Sequence, residues 1–232
     1  MNTTRQPWKP TIVRLINGRY PDALAAVASG SVVRGEAKDH SDIDVIVVGP
    51  FDDAPGHEAI LFEDWPVELY LHTPLSLVET TNRQAVEDRR VLLPHLFSTG
   101  EVLLDKDGTG GRLRQELADI ITKGAPHPSS TELDVFRHRI TNRINDLSDP
   151  RPLGERLFAA SRLAHDIAAL KLLNNGHWLS KGKAIHRALV EVDPDFADRL
   201  ASAWASVGQG SGALIAIADE SLYPLGGRLF GS

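Results

Sequence analysis

Apolar residues in the first half of the chain fall in short β-branched runs broken by polar turns, and between these runs they recur at helical spacing. In the second half the helical period takes over almost completely. The pattern predicts strands over 24–28, 43–48, 67–72 and 101–104, with helices over 11–16, 75–86 and 111–122. Along 67–72, Val67, Leu69 and Leu71 alternate with Glu68, Tyr70 and His72, which is the period of a strand with two unlike faces. Beyond residue 130 the spacing predicts helices over 131–146, 153–173, 183–190, 195–207 and 213–222. Leu153, Leu157, Ala160, Ala164, Ile167 and Leu170 mark the longest of them with an apolar stripe. The fold class expected is a mixed-sheet α/β (α+β) domain followed by an all-α helical bundle.

The break between the two patterns is Gly124-Ala-Pro-His-Pro-Ser-Ser130, a run that continues neither a helix nor a central strand and ends in good helix-capping residues. It divides the chain into a domain over 1–123, a linker over 124–130 and a helical domain over 131–232. Charge follows the same division. Lys and Arg number 25 against 31 Asp and Glu, and the whole imbalance of −6 lies in residues 1–130, with 13 basic and 19 acidic groups, while 131–232 hold 12 of each. An acidic balance of this kind argues against a nucleic-acid partner, which calls for a basic face. Absence of Cys excludes disulfides, thiolate metal sites and thiol nucleophiles, and fits a reducing compartment. No apolar run approaches the roughly 20 residues of a membrane span, and the polar start Met-Asn-Thr-Thr-Arg-Gln lacks the apolar core of a signal peptide. A cytoplasmic protein with no membrane partner is expected.

The chemistry concentrates in Gly30-Ser-Val-Val-Arg-Gly35 and Ser41-Asp-Ile-Asp-Val45. Asp42 and Asp44 are two apart at the start of a strand, so both carboxylates point to one face. Like charges placed side by side call for a cation, and an all-oxygen donor set suits Mg²⁺. Glu68, on the polar face of the 67–72 strand, can add a third carboxylate. Glu63 and Asp64 are the competing acids, but they precede Trp65 and Pro66 in a stretch expected to be a turn. Gly30 allows close backbone approach, Ser31 is read as the N-cap of a short helix whose free amides favour phosphate, and Arg34 sits one turn on, where it can pair with an anion. Three carboxylates beside an anion cradle describe two-metal phosphoryl chemistry.

These residues resemble the polymerase β-like nucleotidyltransferase superfamily, whose pattern is Gly-Ser, a spacer, Asp-x-Asp and a later acid on a neighbouring strand. In this chain the pattern reads GSVVRG, SDIDV and VELYL. The resemblance covers residues 24–72, and the helical half extends it only by architecture, most like the small two-domain members similar to kanamycin nucleotidyltransferase. It implies transfer of a nucleoside monophosphate, AMP from ATP, to a hydroxyl of a small-molecule acceptor with release of pyrophosphate. It further implies two Mg²⁺ ions held by Asp42, Asp44 and Glu68, with Gly30, Ser31 and Arg34 on the nucleotide. Lys181 and Lys183 lie in a polar connection between predicted helices that resembles the helix connection facing the active cleft in several two-domain relatives, a placement that implies contact with the nucleotide phosphates. His165 and Asp166, beside the apolar stripe, read more simply as a satisfied structural pair than as a substrate-side base.

Two other readings follow from the same resemblance: an antitoxin-like binding module built on a minimal nucleotidyltransferase domain, and an adenylyltransferase that modifies proteins. The sequence has no G-x-x-x-x-G-K-[ST] loop, no H-E-x-x-H pair and no G-x-S-x-G elbow, so competing phosphate-loop, zinc and serine chemistries have no residues to carry them.

Overall fold

A computed structural model describes residues 5–230. The chain divides into two compact units, Met1–Lys123 and Gly124–Ser232, each described here by itself. The first unit contains the strands β1 (Ala25–Ser29), β2 (Ile43–Val48), β3 (Gly56–Phe62), β4 (Trp65–His72) and β5 (Glu101–Asp105). They form one sheet in the order β3-β4-β2-β1-β5. The pairings β1–β2, β1–β5 and β3–β4 are antiparallel, and β2–β4 is parallel, which makes the sheet mixed.

The sheet is covered on both faces, and the period of two decides which residue goes where. Helix α1 (Trp8–Arg19) lays Ile12, Leu15 and Ile16 on Ala26, Ala28, Ile43, Val45, Val47, Val67 and Leu69. On the opposite face Ala25, Val27, Ile46 and Val48 meet Leu77 of α2 (Pro74–Arg83), Leu93, Leu96 and Phe97 of α3 (Leu92–Thr99), and Leu113 and Leu117 of α4 (Thr109–Thr122). Since β1 and β2 are buried on both faces, they read as continuous apolar runs, and this is why Asp44 stands out in β2. Each fully buried Ile, Leu or Phe side chain contributes about 1.5–3 kcal/mol.

Three elements depart from the sequence expectation. Strand β3 is additional: it is an edge strand whose exposure alternates along its length and whose start, Asp53-Ala-Pro-Gly56, has turn composition. Helix α3 is also additional, because Pro94 looks like a helix breaker. It lies in the first turn, where its missing N–H has no intrahelical acceptor to lose. The expected short helix at Ser31 is absent, and residues 31–35 form a turn.

The second unit is helical: α5 (Ser130–Ser148), α6 (Leu153–Asn174), α7 (Ala184–Val192), α8 (Pro194–Ala205) and α9 (Gly212–Leu222). Its start is fixed by a capping box, in which the Ser129 hydroxyl accepts from the Glu132 amide while the Glu132 carboxylate accepts from the Ser129 amide. Ile140, Ile144, Leu163, Ile167, Leu170 and Leu214 form its own core. Among the described residues no helix is long and apolar enough to cross a membrane.

Candidate active site

Asp44 lies on the same face of β2 as Ile46 and Val48, at the end of the strand where the apolar cover of that face stops. Its Cα partner in the antiparallel direction is Ser29, and in the parallel direction it is Glu68. Register therefore brings the second and third predicted acids side by side on central strands. Asp42 precedes β2 by one residue and is close enough to act on the Asp44 charge. Burial, followed by the Asp42 and Glu68 carboxylates, pushes the Asp44 carboxyl up to about 6, and Arg34 and His57 offset part of that rise. Glu63 and Asp64, the competing acids, occupy the turn between β3 and β4 with positive φ, and Glu63 pairs with Arg14 of α1.

Gly30 ends β1 with φ +99°, a conformation that L side chains rarely adopt. A Cβ there would lie 2.9 Å from Asp44 Oδ2 and 3.6 Å from the Asp42 carbonyl oxygen. Glycine at this position thus keeps open the space beside the Asp44 carboxylate. The turn that follows is tied by Arg34 N–H donating to the Gly30 carbonyl at 3.3 Å and Glu36 N–H donating to the Ser31 carbonyl at 2.8 Å. The Ser31 hydroxyl donates to Ser41 Oγ at 2.9 Å, and Ser41 Oγ accepts the Lys38 amide at 2.8 Å. Ser31 therefore acts as a brace between the Gly-Ser turn and the segment that enters Asp42, and caps no helix. Arg34 is half exposed, with its Nε donating to Glu36 at 3.1 Å, and it lies near enough to Asp44 to lower its proton affinity.

Two residues join the site that the sequence reading left without a role. The Tyr70 hydroxyl donates to Glu68 Oε2 at 2.8 Å, and His57 Nε2 is 3.6 Å from the same oxygen. The His57 and Tyr70 rings are 4.9 Å apart, and the two residues are partners across β3 and β4. Tyr70 is legible from its spacing of two from Glu68; His57 becomes visible only once β3 is known. Burial and the Glu68 contact hold the Tyr70 phenol well above its ordinary value, so it serves as a hydrogen-bond donor.

Among the described residues, no three His, Asp or Glu side chains already converge as a metal cage. What the backbone provides is a same-face patch of three carboxylates. Its mutual repulsion and oxygen-only chemistry suit a hard cation. Lys181 and Lys183 belong to the helical unit. They are exposed in the turn that leads into α7, where Lys183 is the residue before the first helical turn.

Residues 12–93, which contain every one of the acids, match the family model described as a nucleotidyltransferase domain. Over this segment the chain is similar to a nucleotidyltransferase domain. The segment runs from α1 through the start of α3 and so takes in the Gly-Ser turn, β2 and β4. A solved structure of a nucleotidyltransferase-like protein from Exiguobacterium sibiricum 255-15 is similar over 94% of this chain and 75% of its own, with 14% identity and a TM-score of 0.49. No curated protein matches the chain.

Proposed function

We propose that the chain moves a nucleoside monophosphate, AMP from ATP, to a hydroxyl of a small-molecule acceptor and releases pyrophosphate, acting in the cytoplasm. The observation that carries this reading is the position of Asp44 in the segment that matches a nucleotidyltransferase domain: half-buried, opposite Glu68, near Asp42, and facing a space that only glycine at position 30 leaves open.

Asp42 and Asp44 would hold Mg²⁺, two ions in all, with Glu68 completing the second position. When bound, the metal would offset the charge of the phosphates and lower the pKa of the attacking hydroxyl. The chain's own groups do the rest. Arg34 would exchange its exposed Glu36 partner for phosphate oxygens, a charge-assisted contact that holds the triphosphate in line. Tyr70 fixes one oxygen of Glu68 and leaves the other free to point toward the patch. In the transfer, the acceptor oxygen bonds to the α-phosphorus and the bond to the bridging oxygen breaks. Pyrophosphate takes that electron pair, and the hydroxyl proton leaves through the carboxylates to solvent. The helical unit would choose the acceptor, and Lys181 and Lys183 would meet the nucleotide phosphates.

Incubation with labelled ATP, Mg²⁺ and a panel of small hydroxyl compounds tests this reading. A labelled acceptor and pyrophosphate, formed by the native chain and absent with Asp44→Asn, are expected. Pyrophosphate release that is unaffected by Asp44→Asn overturns it.

A further inference from the structure

In the helical unit, one carboxylate is surrounded by more positive charge than it can balance. Asp166 of α6 forms ion pairs with two arginines of α5, its Oδ1 lying 3.1 Å from Arg139 Nε and its Oδ2 2.7 Å from Arg143 Nε. Arg162 stands one turn before Asp166 on α6 and acts electrostatically on both Asp166 and Arg143. It makes no hydrogen bond or ion pair of its own among the described residues. One further acid, Asp146, acts on Arg143, and it pairs with Arg151 at 2.9 Å, which Asp149 and Glu155 share.

The group is also held in place. The Arg139 guanidinium lies 4.5 Å from the centre of the Phe136 ring, and Asp166 is the most buried member, with 13% of its side chain exposed. Each arginine approaches Asp166 most closely through Nε, and the Arg139 Nε and Asp166 Oδ2 atoms are buried without a hydrogen-bond partner among the described residues, so the ion pairs do not satisfy the group's polar atoms. Burial and the neighbouring Arg162 and Arg139 hold the Arg143 guanidinium below its ordinary value, a sign of crowded positive charge.

We infer that Arg139, Arg143 and Arg162, set by Asp166, form a binding site for a dianionic phosphate group on the face shared by α5 and α6. Three guanidiniums against one carboxylate leave two positive charges, which a phosphate monoester balances and a carboxylate does not. Planar guanidinium forks match phosphate oxygens in pairs. An ion network serving only to join α5 to α6 would need Arg139, Arg143 and Asp166, and leaves Arg162 without a purpose. The inference does not depend on nucleotide transfer. The phosphate could belong to a phosphorylated acceptor or to the tail of a nucleotide.

Calorimetric titration of the full chain with inorganic phosphate, glycerol phosphate and ATP tests the site, using Arg162→Ala, Arg162→Lys, the control Arg187→Ala in α7, and an Asp42→Asn, Asp44→Asn double variant. Saturable phosphate binding is expected. It should weaken about tenfold or more in Arg162→Ala, in line with loss of a charge-assisted contact. The loss should be smaller in Arg162→Lys, binding should be unchanged in Arg187→Ala, and binding of inorganic phosphate and glycerol phosphate should be unchanged in the double variant. Melting temperatures should match the native chain, since Arg162 is exposed. Loss with phosphate and glycerol phosphate alone assigns the site to a phosphorylated small molecule, and loss with ATP as well assigns it to the nucleotide. Absence of saturable phosphate binding, equal affinity in Arg162→Ala, or an equal loss in Arg187→Ala overturns the inference.

Discussion

Asp44 of β2 and Glu68 of β4 are Cα partners in a parallel pairing, so the register of two central strands, and no flexible loop, sets the distance between these acids. Parallel neighbours present their side chains to the same face at each register position, and the sheet is packed on both faces. Slipping this register by one residue would send Glu68 to the α1 face and Val67 into the acidic patch. Core packing and site geometry are in this way one constraint.

Asp42→Asn, Asp44→Asn and Glu68→Gln should each reduce metal-dependent transfer by at least about a hundredfold, on the scale of losing a principal electrostatic group. The fold should be kept, because each change is nearly isosteric and relieves carboxylate repulsion. Initial rates at saturating Mg²⁺ together with thermal melts check this, and a stable variant with undiminished transfer would remove that residue from the site.

Asp44 also dictates a pH dependence. Its folded carboxyl is pushed up to about 6 from an ordinary 3.8, so the folded chain binds this proton more tightly than the unfolded chain does. The contribution is fully present below the unfolded value and is lost as pH rises through about 6. In chelator, the native chain should therefore lose stability between pH 4 and 7, by at most about 3 kcal/mol and less with partial solvent exposure. Asp44→Asn should lack that slope. Mg²⁺ at pH 7 should recover stability in the native chain and not in the variant, as denaturant titrations at several pH values would show.

Legibility in the sequence followed burial. β2 and β4 were readable because their β-branched runs and alternation are imposed by cores that contact both or one of their faces, and the acids interrupt that pattern. Edge strand β3 has only one neighbour, so its residues are chosen by water as much as by packing, and with it His57 went unseen. Ser31 was misread for a different reason. A serine after glycine is as good a brace as a cap, and only the ten-residue return to Ser41 shows which partner its hydroxyl takes. The arginines around Asp166 come from two helices and share no local motif, so the pair His165 and Asp166 looked self-contained.

Gly30→Ala should damage the site from the backbone side. The positive φ costs the alanine about 1–3 kcal/mol, and its methyl would lie 2.9 Å from Asp44 Oδ2, so either the turn or the carboxylate must move. A lower melting temperature and at least about tenfold weaker Mg²⁺-dependent transfer are expected. Gly35→Ala, which also has positive φ but no atom within 4 Å of its Cβ, should cost stability with a smaller loss of transfer. Equal transfer losses in the two variants would refute the steric argument.

Arg34→Ala should weaken triphosphate binding about tenfold to a hundredfold, corresponding to a charge-assisted contact of roughly 1.5–3 kcal/mol. Stability should hardly change, since its partner Glu36 is exposed and surface pairs contribute little. Nucleotide titration in the presence of Mg²⁺ decides, and unchanged affinity returns Arg34 to an ordinary surface role.

The two units should fold apart and fail apart. Each has a separate core: the sheet is closed by α1 on one face and by α2, α3 and α4 on the other, while the helical core draws on residues of α5 to α9, from Leu133 onward. Residues 1–123 contain the acids, Gly30, Ser31 and Arg34, so this fragment should be cooperative in denaturant and should still bind ATP with Mg²⁺. It should not transfer to the acceptor used by the full chain, because acceptor choice is assigned to the helical unit. Residues 124–232, starting at the Ser129 capping box, should keep their helical signal and the phosphate affinity that depends on Arg162. Measuring ATP binding, phosphate binding and transfer on both fragments separates the assignments. Full transfer by residues 1–123 alone would show that acceptor recognition lies within the nucleotidyltransferase domain, and loss of ATP binding from that fragment would show that Lys181 and Lys183, or their neighbours, are needed to hold the nucleotide.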